Sequence, residues 1–154
     1  MADFDLEPYY KIVENCIQRL GVDPALCRGE KPGQWNLKKN NTDVWIDLWY
    51  IEREQRPYYQ VMAPVIQVPE QNKAVLFEEL LTINDQLYGV AFTLYKDWVY
   101  LKVIREVQGM DEDEAFAMLT RIGNYADDYK QKLAIKYGES TQSSDNLRGG
   151  PGPA

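Results

Sequence analysis

The chain has 154 residues, of which 45% are apolar, and its 24 acidic and 17 basic side chains give a net charge of −7. This length predicts a single domain with a substantial core, and the apolar fraction excludes a disordered chain. Because the negative surface repels phosphates and anionic lipid headgroups, we expect neither nucleic acid nor a membrane as a partner. The sequence contains no histidine, which excludes Ser-His-Asp and Cys-His catalysis and removes the commonest zinc ligand.

The beginning of the chain predicts a cytoplasmic protein that starts with an amphipathic helix. The stretch MADFDLEPYY is acidic and lacks an apolar run, so we expect no signal peptide, and no stretch reaches the roughly 20 apolar residues of a membrane helix. Apolar residues recur at three- and four-residue steps from Leu6 to Leu20, and Gly21 ends the predicted helix. Cys16 falls in this helix and Cys27 in the next loop. Without CxxC spacing they are expected to be reduced and buried, with a regulatory disulfide as the alternative.

Three strands are predicted next. QWNLKK (34–39) alternates, NNT (40–42) is a turn, and YYQVMAPVIQVP (58–69) reads as a third strand in which Pro64 indicates an edge or a bulge. The strand between them, DVWIDLWYIE (43–52), alternates but is apolar on both faces. Its faces consist of Val44, Ile46, Leu48 and Tyr50 on one side and of Trp45, Asp47, Trp49 and Ile51 on the other.

A helix and a hairpin follow. Residues 71–87 predict a second helix, whose apolar face would consist of Leu76, Leu80, Ile83 and Leu87. Residues 90–106 read as two strands around a tight turn at Lys96 and Asp97. Here and elsewhere the carboxylates have no visible partner for acid–base chemistry. We therefore expect that the protein is not an enzyme and that it holds neither a metal nor a cofactor.

The last helix follows an acidic run. Asp111 and Glu114 have the spacing of a capping pair, so the run fits a helix start better than a calcium loop, and Gly138 ends the helix. The predicted domain therefore spans residues 1–138. The remaining residues, 139–154, are polar and rich in Gly, Pro and Ser, which predicts a flexible tail.

The strands carry an unusual number of aromatic side chains. The first and third helices each have one apolar stripe and can cover one face of a five-stranded sheet, which leaves the face of Trp45 and Trp49 without a covering element. Asp47 lies between these tryptophans, which favours a surface that meets water in the free protein. We expect a partner or dimer interface here, although cross-strand packing of the aromatics is an alternative. The predicted interface residues are Trp45, Trp49, Ile51, Tyr58 and Met62.

The element order α-β-β-β-α-β-β-α in a small acidic chain resembles the secretion-chaperone-like fold, which includes the class I type III secretion chaperones and the YbjN-like bacterial proteins. The stretch YYQVMAPVIQVPEQNKAVLFEELLTINDQLYGVAFTLYKDWVYLKVI (58–104) is similar to the YbjN-like branch. The resemblance implies an α+β fold with an antiparallel sheet and two helices on one face. It also implies homodimers and, in the chaperone branch, non-enzymatic binding of extended partner segments.

Two classes of function stay open. The first is a chaperone- or adaptor-like module that holds a protein partner on the apolar sheet face or along a strand edge. The second is a small-molecule sensor or an enzyme with a pocket between the sheet and the helices. The absence of convergent polar groups in the sequence favours the binding module.

Overall fold

The structure is a computed structural model that describes residues 5–138 together with Leu147 and Arg148. The segments outside this part are residues 1–4, 139–146 and 149–154. Most of the predicted flexible tail therefore falls outside the described residues. Within them, no helix combines the length and the apolar character that crossing a bilayer requires.

Three helices and five strands follow one another in the order α-β-β-β-α-β-β-α. They are α1 (Glu7–Arg19), β1 (Gln34–Lys39), β2 (Thr42–Ile51), β3 (Arg56–Gln67), α2 (Lys73–Asn84), β4 (Ala91–Tyr95), β5 (Trp98–Glu106) and α3 (Glu112–Tyr137), with a 3-10 turn at Pro24–Leu26. The strands form one antiparallel sheet in the order β1-β2-β3-β5-β4. The predicted α+β class is confirmed.

The main core lies between this sheet and two helices. α3 packs across β2, β3 and β5, and α1 packs against α3. Val44, Ile46 and Leu48 of β2 are fully buried in this layer, as predicted. Tyr50 was expected to join them but is only half-buried, because it lies next to the exposed turn after β2, where its hydroxyl meets Gln55 Oε1 at 3.3 Å.

Three polar contacts define the start of α3 and tie it to the sheet. Asp111 is the N-cap, and its Oδ1 accepts a hydrogen bond from the Glu114 backbone N–H at 2.7 Å. The Glu114 carboxylate pairs with Arg105 of β5 instead of completing the capping box. The buried hydroxyl of Tyr59 donates to the Ala115 carbonyl at 3.0 Å, which ties β3 to the first turn of the helix. The acidic run is thus a helix start, as predicted.

The strand connections follow from local backbone chemistry. Lys96 and Asp97 both have positive φ, at 48° and 64°, which suits the tight hairpin between β4 and β5. Asn40 has a φ of 57° in the β1–β2 turn. β3 lies between β2 and β5, so Pro64 is in an interior strand, and the pairing register shifts between Pro64 and Ile66. Of the two explanations for this proline, the bulge is correct.

Truncating α3 at its buried face should destabilise the fold. Ile122 is fully buried, whereas Ile135 on the same helix is 87% exposed. We expect Ile122→Ala to lower the free energy of unfolding by about 2–5 kcal/mol, because it leaves a cavity. Ile135→Ala should change it by less than about 0.5 kcal/mol. Urea unfolding followed by circular dichroism measures both, and equal stabilities would contradict the docking of α3.

Candidate partner-binding surface

The sheet has a second face, opposite α1 and α3, which we call the outer face. Antiparallel register determines its side chains, because directly paired residues point to the same side. Trp45 is paired with Met62, and Trp49 is paired with Tyr58. Ile51 alternates with the same two tryptophans along β2. The structure therefore places all five predicted interface residues on the outer face.

The outer face is less open than the sequence suggested. Trp45 is 5% exposed and Ile51 is 7% exposed, so the expectation that only a second molecule would cover these two residues is wrong. Trp45 packs with Trp98 and Tyr100, whose ring centroid lies 6.0 Å from that of Trp45. This cross-strand packing is the alternative that the sequence left open. The other predicted interface residues, Trp49, Tyr58 and Met62, are half-buried.

A row of buried polar groups crosses the centre of the outer face. Asp47 is paired with Gln34 of β1 on one side and with Gln60 of β3 on the other. All three are buried, and Asp47 is 1% exposed, so the expectation that its carboxylate meets water is wrong. The amide nitrogens of Gln34 and Gln60 lie 3.4 Å and 3.5 Å from the Asp47 oxygens, which makes both hydrogen bonds long and weak.

Arg148 provides the strong partner for this carboxylate. Its Nη1 donates to Asp47 Oδ2 at 2.9 Å, its Nε donates to Asn36 Oδ1 at 2.8 Å, and its Nη2 donates to the Ile46 carbonyl at 3.2 Å. The guanidinium carbon lies 5.5 Å from the ring centroid of Trp45. A buried carboxylate is stable only with a close cation and good hydrogen bonds, so Arg148 explains how Asp47 is tolerated.

Leu147 adds an apolar contact beside the ion pair, where it packs against Trp45, Trp98 and Tyr100. Both residues belong to the segment that was predicted to be a flexible tail, and the sequence analysis assigned them no role. A local signal was available, because Leu147 is the only large apolar residue and Arg148 the only basic residue in 139–154. The prediction of a flexible tail used the average composition of the segment, in which two residues have little weight.

A second apolar surface lies along α2 and β4. α2 buries Leu76 and Leu80, but it also exposes Val75 and Leu81, which are 57% and 70% accessible. Tyr95 of β4 is paired with Trp98 and therefore belongs to the outer face. Of the nine exposed large apolar side chains among the described residues, four others lie on α2, on β4 or on the loop between them. The four are Val75, Leu81, Tyr88 and Leu94. We call them the α2–β4 surface. It was not predicted from the sequence, because the prediction for α2 concerned only the inward face of the helix.

Comparison with known proteins places this chain in a family. Residues 10–134 match the model of the YbjN family, which is described as "Putative bacterial sensory transduction regulator". The chain belongs to the YbjN family. No significant match was found among curated proteins.

Solved structures share the fold of this YbjN-family chain at low sequence identity. The ExsC–ExsE complex matches with a TM-score of 0.65 and 18% identity, covering 84% of this chain and 97% of that chain. The Yersinia pestis type III secretion chaperone SycH, in complex with a fragment of YscM2, matches with a TM-score of 0.57 and 15% identity. This match covers 79% of this chain and 98% of SycH. YbjN from E. coli matches with a TM-score of 0.51 and 17% identity, and the match covers 82% of this chain and 90% of that chain. The suspected resemblance to this fold is confirmed.

The cysteines of this YbjN-family chain are not arranged for chemistry. Cys16 and Cys27 are free and buried, and burial followed by the charge of Glu112 raises the pKa of Cys16 to about 11. A thiol with such a pKa is protonated near neutral pH and is a poor nucleophile. Among residues 5–138 and the pair 147–148, no group of three or more acidic or cysteine side chains is placed to hold a metal ion.

A cleft of about 790 Å³ lies between α1 and the loop that leads into β1. Glu14, one of its acidic lining residues, accepts two hydrogen bonds from Arg28, both at 2.8 Å, and one from Trp35 Nε1 at 2.9 Å. The contact with Arg28 lowers the pKa of Glu14, so this carboxyl stays ionised near neutral pH. An ionised, fully paired carboxylate does not serve as a general acid.

The burial of Trp45 predicts its role in stability. Trp45→Ala removes a buried ring, so we expect the free energy of unfolding to fall by about 3–5 kcal/mol. Tyr95→Ala is the control, because Tyr95 is an aromatic residue of the same sheet that is 58% exposed. Its effect should stay below about 0.5 kcal/mol. If chemical denaturation gives the two variants similar stabilities, Trp45 is an interface residue as the sequence first suggested.

Proposed function

We propose that this YbjN-family protein is a non-enzymatic binding module, chaperone- or adaptor-like, that holds a segment of another protein on the outer face of its sheet in the cytoplasm. The observation that carries the proposal is that Leu147 and Arg148 of the same chain pack into the centre of this face. A face that accepts an apolar and a charged side chain together has the mixed chemistry of a peptide-binding surface. Two free, buried cysteines agree with a reducing compartment.

Accessible side chains remain on the outer face for a larger partner. Trp49 and Tyr58 are half-buried, and Ile104 of β5, which is paired with Gln60, is 42% exposed. Aromatic side chains provide much of the binding energy at protein interfaces. The ExsC–ExsE and SycH–YscM2 structures, which share this fold, are complexes with another protein and support the same kind of role here.

Binding at the face is favoured over binding at the β1 edge. The outer edge of β1 is already engaged by residues 27–29, since the Asn36 amide donates to the Cys27 carbonyl and the Gly29 amide donates to the Gln34 carbonyl, both at 2.7 Å. An added strand would have to displace these hydrogen bonds. The outer face requires no such displacement of the sheet's own backbone contacts.

Binding of a small molecule is the second candidate function. The observation in its favour is the cleft beside α1, which is large enough for a ligand of drug size. Among the polar groups that line it, Glu14, Arg28 and Trp35 already satisfy one another. A ligand would have to break these contacts before it could use them, so the outer face is the stronger candidate site.

The binding experiment uses a random peptide library displayed on phage and the purified full-length protein. Peptides held on the outer face should lose binding to the Ile104→Asp variant at least tenfold, because a charge is placed in their apolar contact. Ile135→Asp introduces the same charge on α3, at a position that is 87% exposed, and should leave binding unchanged. Peptides that bind both variants equally would contradict the outer face as the site.

We also propose that the protein is a homodimer that uses the α2–β4 surface. Exposed large apolar side chains are unfavourable in water, and α2 is apolar both on its buried side and on parts of its exposed side. An isologous contact places the same patch of each subunit against its copy, which covers both patches at once. This location differs from the outer-face dimer that the sequence suggested, because Trp45 and Ile51 are already covered within one chain.

Dimerisation is tested by sedimentation equilibrium at tens of micromolar. The wild-type protein should have twice the chain mass of 17.9 kDa. Leu81→Glu, at a position that is 70% exposed, should give the monomer mass with little loss of stability. Leu26→Glu, at an 84% exposed position outside this surface, is the control and should stay dimeric. A wild-type mass of one chain would overturn the proposal.

A further inference from the structure

We propose that Asp47 is the centre of an arginine-recognition site, and that Leu147 and Arg148 occupy it as an internal ligand that a partner must displace. The partner segment would carry the same chemistry, an apolar residue followed by an arginine. This inference rests on the proposed function, because it concerns what the outer face recognises. It adds a specific side-chain preference and a means of limiting access to the face.

The contacts of Arg148 fit a guanidinium group and no other cationic side chain. Its Nε, Nη1 and Nη2 each donate to a different acceptor, namely a side-chain amide of β1, a carboxylate of β2 and a backbone carbonyl of β2. The guanidinium carbon also lies over the Trp45 ring, 5.5 Å from its centroid. A lysine ammonium is a single point donor and cannot reach all three positions at once.

The sheet itself creates the need for a cation at this position. Asp47 is 1% exposed, and within the sheet it accepts two long amide hydrogen bonds of 3.4 Å and 3.5 Å. Without Arg148 the carboxylate needs either water or another cation, because a buried unpaired charge is strongly unfavourable. An arginine from a partner can replace Arg148 at this position.

Leu147 makes the recognition a two-residue event. It packs on the cluster of Trp45, Trp98 and Tyr100 while the next side chain, Arg148, reaches Asp47. The apolar cluster and the carboxylate therefore lie within the reach of two consecutive residues of one chain. An arginine alone would leave the aromatic cluster uncovered, and a leucine alone would leave Asp47 unpaired.

An internal ligand competes through its effective concentration. Leu147 and Arg148 are joined to the end of α3 by residues 139–146, and a short linker holds its ends at an effective concentration of about millimolar. A partner that makes only the contacts of Leu147 and Arg148 cannot displace these two residues, because it binds no more tightly than they do. A longer partner gains further contacts at Ile104, which is 42% exposed, and at the half-buried Trp49 and Tyr58. Leu147 and Arg148 would thus restrict binding to partners that replace their two contacts and also make the further contacts on the outer face.

The test repeats the phage selection on full-length wild type and on full-length Leu147→Ala/Arg148→Ala, in which the outer face is vacated. The vacated variant should select peptides that contain an apolar residue followed by arginine. The same peptides should bind the wild type at least tenfold more weakly, as measured by fluorescence anisotropy. Replacing the peptide arginine with lysine should weaken binding to the vacated variant at least tenfold.

Two further substitutions in the vacated variant locate the site. Asp47→Asn removes the charge, and Asn36→Ala removes the acceptor of Nε at an exposed position where the fold tolerates change. Each should reduce the preference for arginine over lysine. Because Asn36 is exposed, its variant keeps the test valid even if Asp47→Asn does not fold.

The outcomes separate this inference from the proposed function. If selected peptides are sensitive to Ile104→Asp but bind wild type and the vacated variant equally, or accept lysine equally, the outer face binds partners and the inference is wrong. If neither protein selects peptides that are sensitive to Ile104→Asp, the proposed function is wrong, and the inference fails with it.

Discussion

The ion pair between Asp47 and Arg148 determines the character of the outer face. Asp47 lies at the centre of this face between Gln34 and Gln60 and is 1% exposed, and its cationic partner comes from outside the sheet. Arg148 fulfils this requirement and brings Leu147 onto the aromatic cluster. A carboxylate placed here makes the sheet a weaker core than a purely apolar face would be. The same carboxylate makes this face selective for a cationic segment.

The two faces of the sheet therefore have different roles. One face is covered by α3 and α1 and forms the main core, with contacts such as the hydrogen bond from Tyr59 to Ala115 that fix the helix on the sheet. The other face has no helix among the described residues and is covered in part by Leu147 and Arg148. Because the first layer stabilises the fold, the second is able to exchange its ligand without unfolding. The α2–β4 surface lies at the edge and leaves both faces free in the proposed dimer.

The sequence predicted the fold well because alternation and capping are local signals. The faces of β2 and the N-cap at Asp111 follow from neighbouring residues alone. The burial of the outer face does not follow from neighbouring residues, because the burial of Trp45 depends on residues of β5 that are distant in sequence. The partner of Asp47 lies 101 residues away in a segment whose Gly, Pro and Ser content predicts no structure. Long-range contacts of this kind leave no periodic pattern.

¹⁵N-edited NMR of the side-chain Nε–H of Arg148 tests whether the ion pair with Asp47 holds Arg148 on the outer face. This group donates to Asn36 Oδ1 beside the Asp47 carboxylate, so its resonance in the wild-type protein should be displaced from the position of free arginine and protected from exchange. It should move to the free position in Asp47→Asn, and also when a peptide saturates the outer face. A resonance already at the free position in the wild-type protein without peptide would contradict the account.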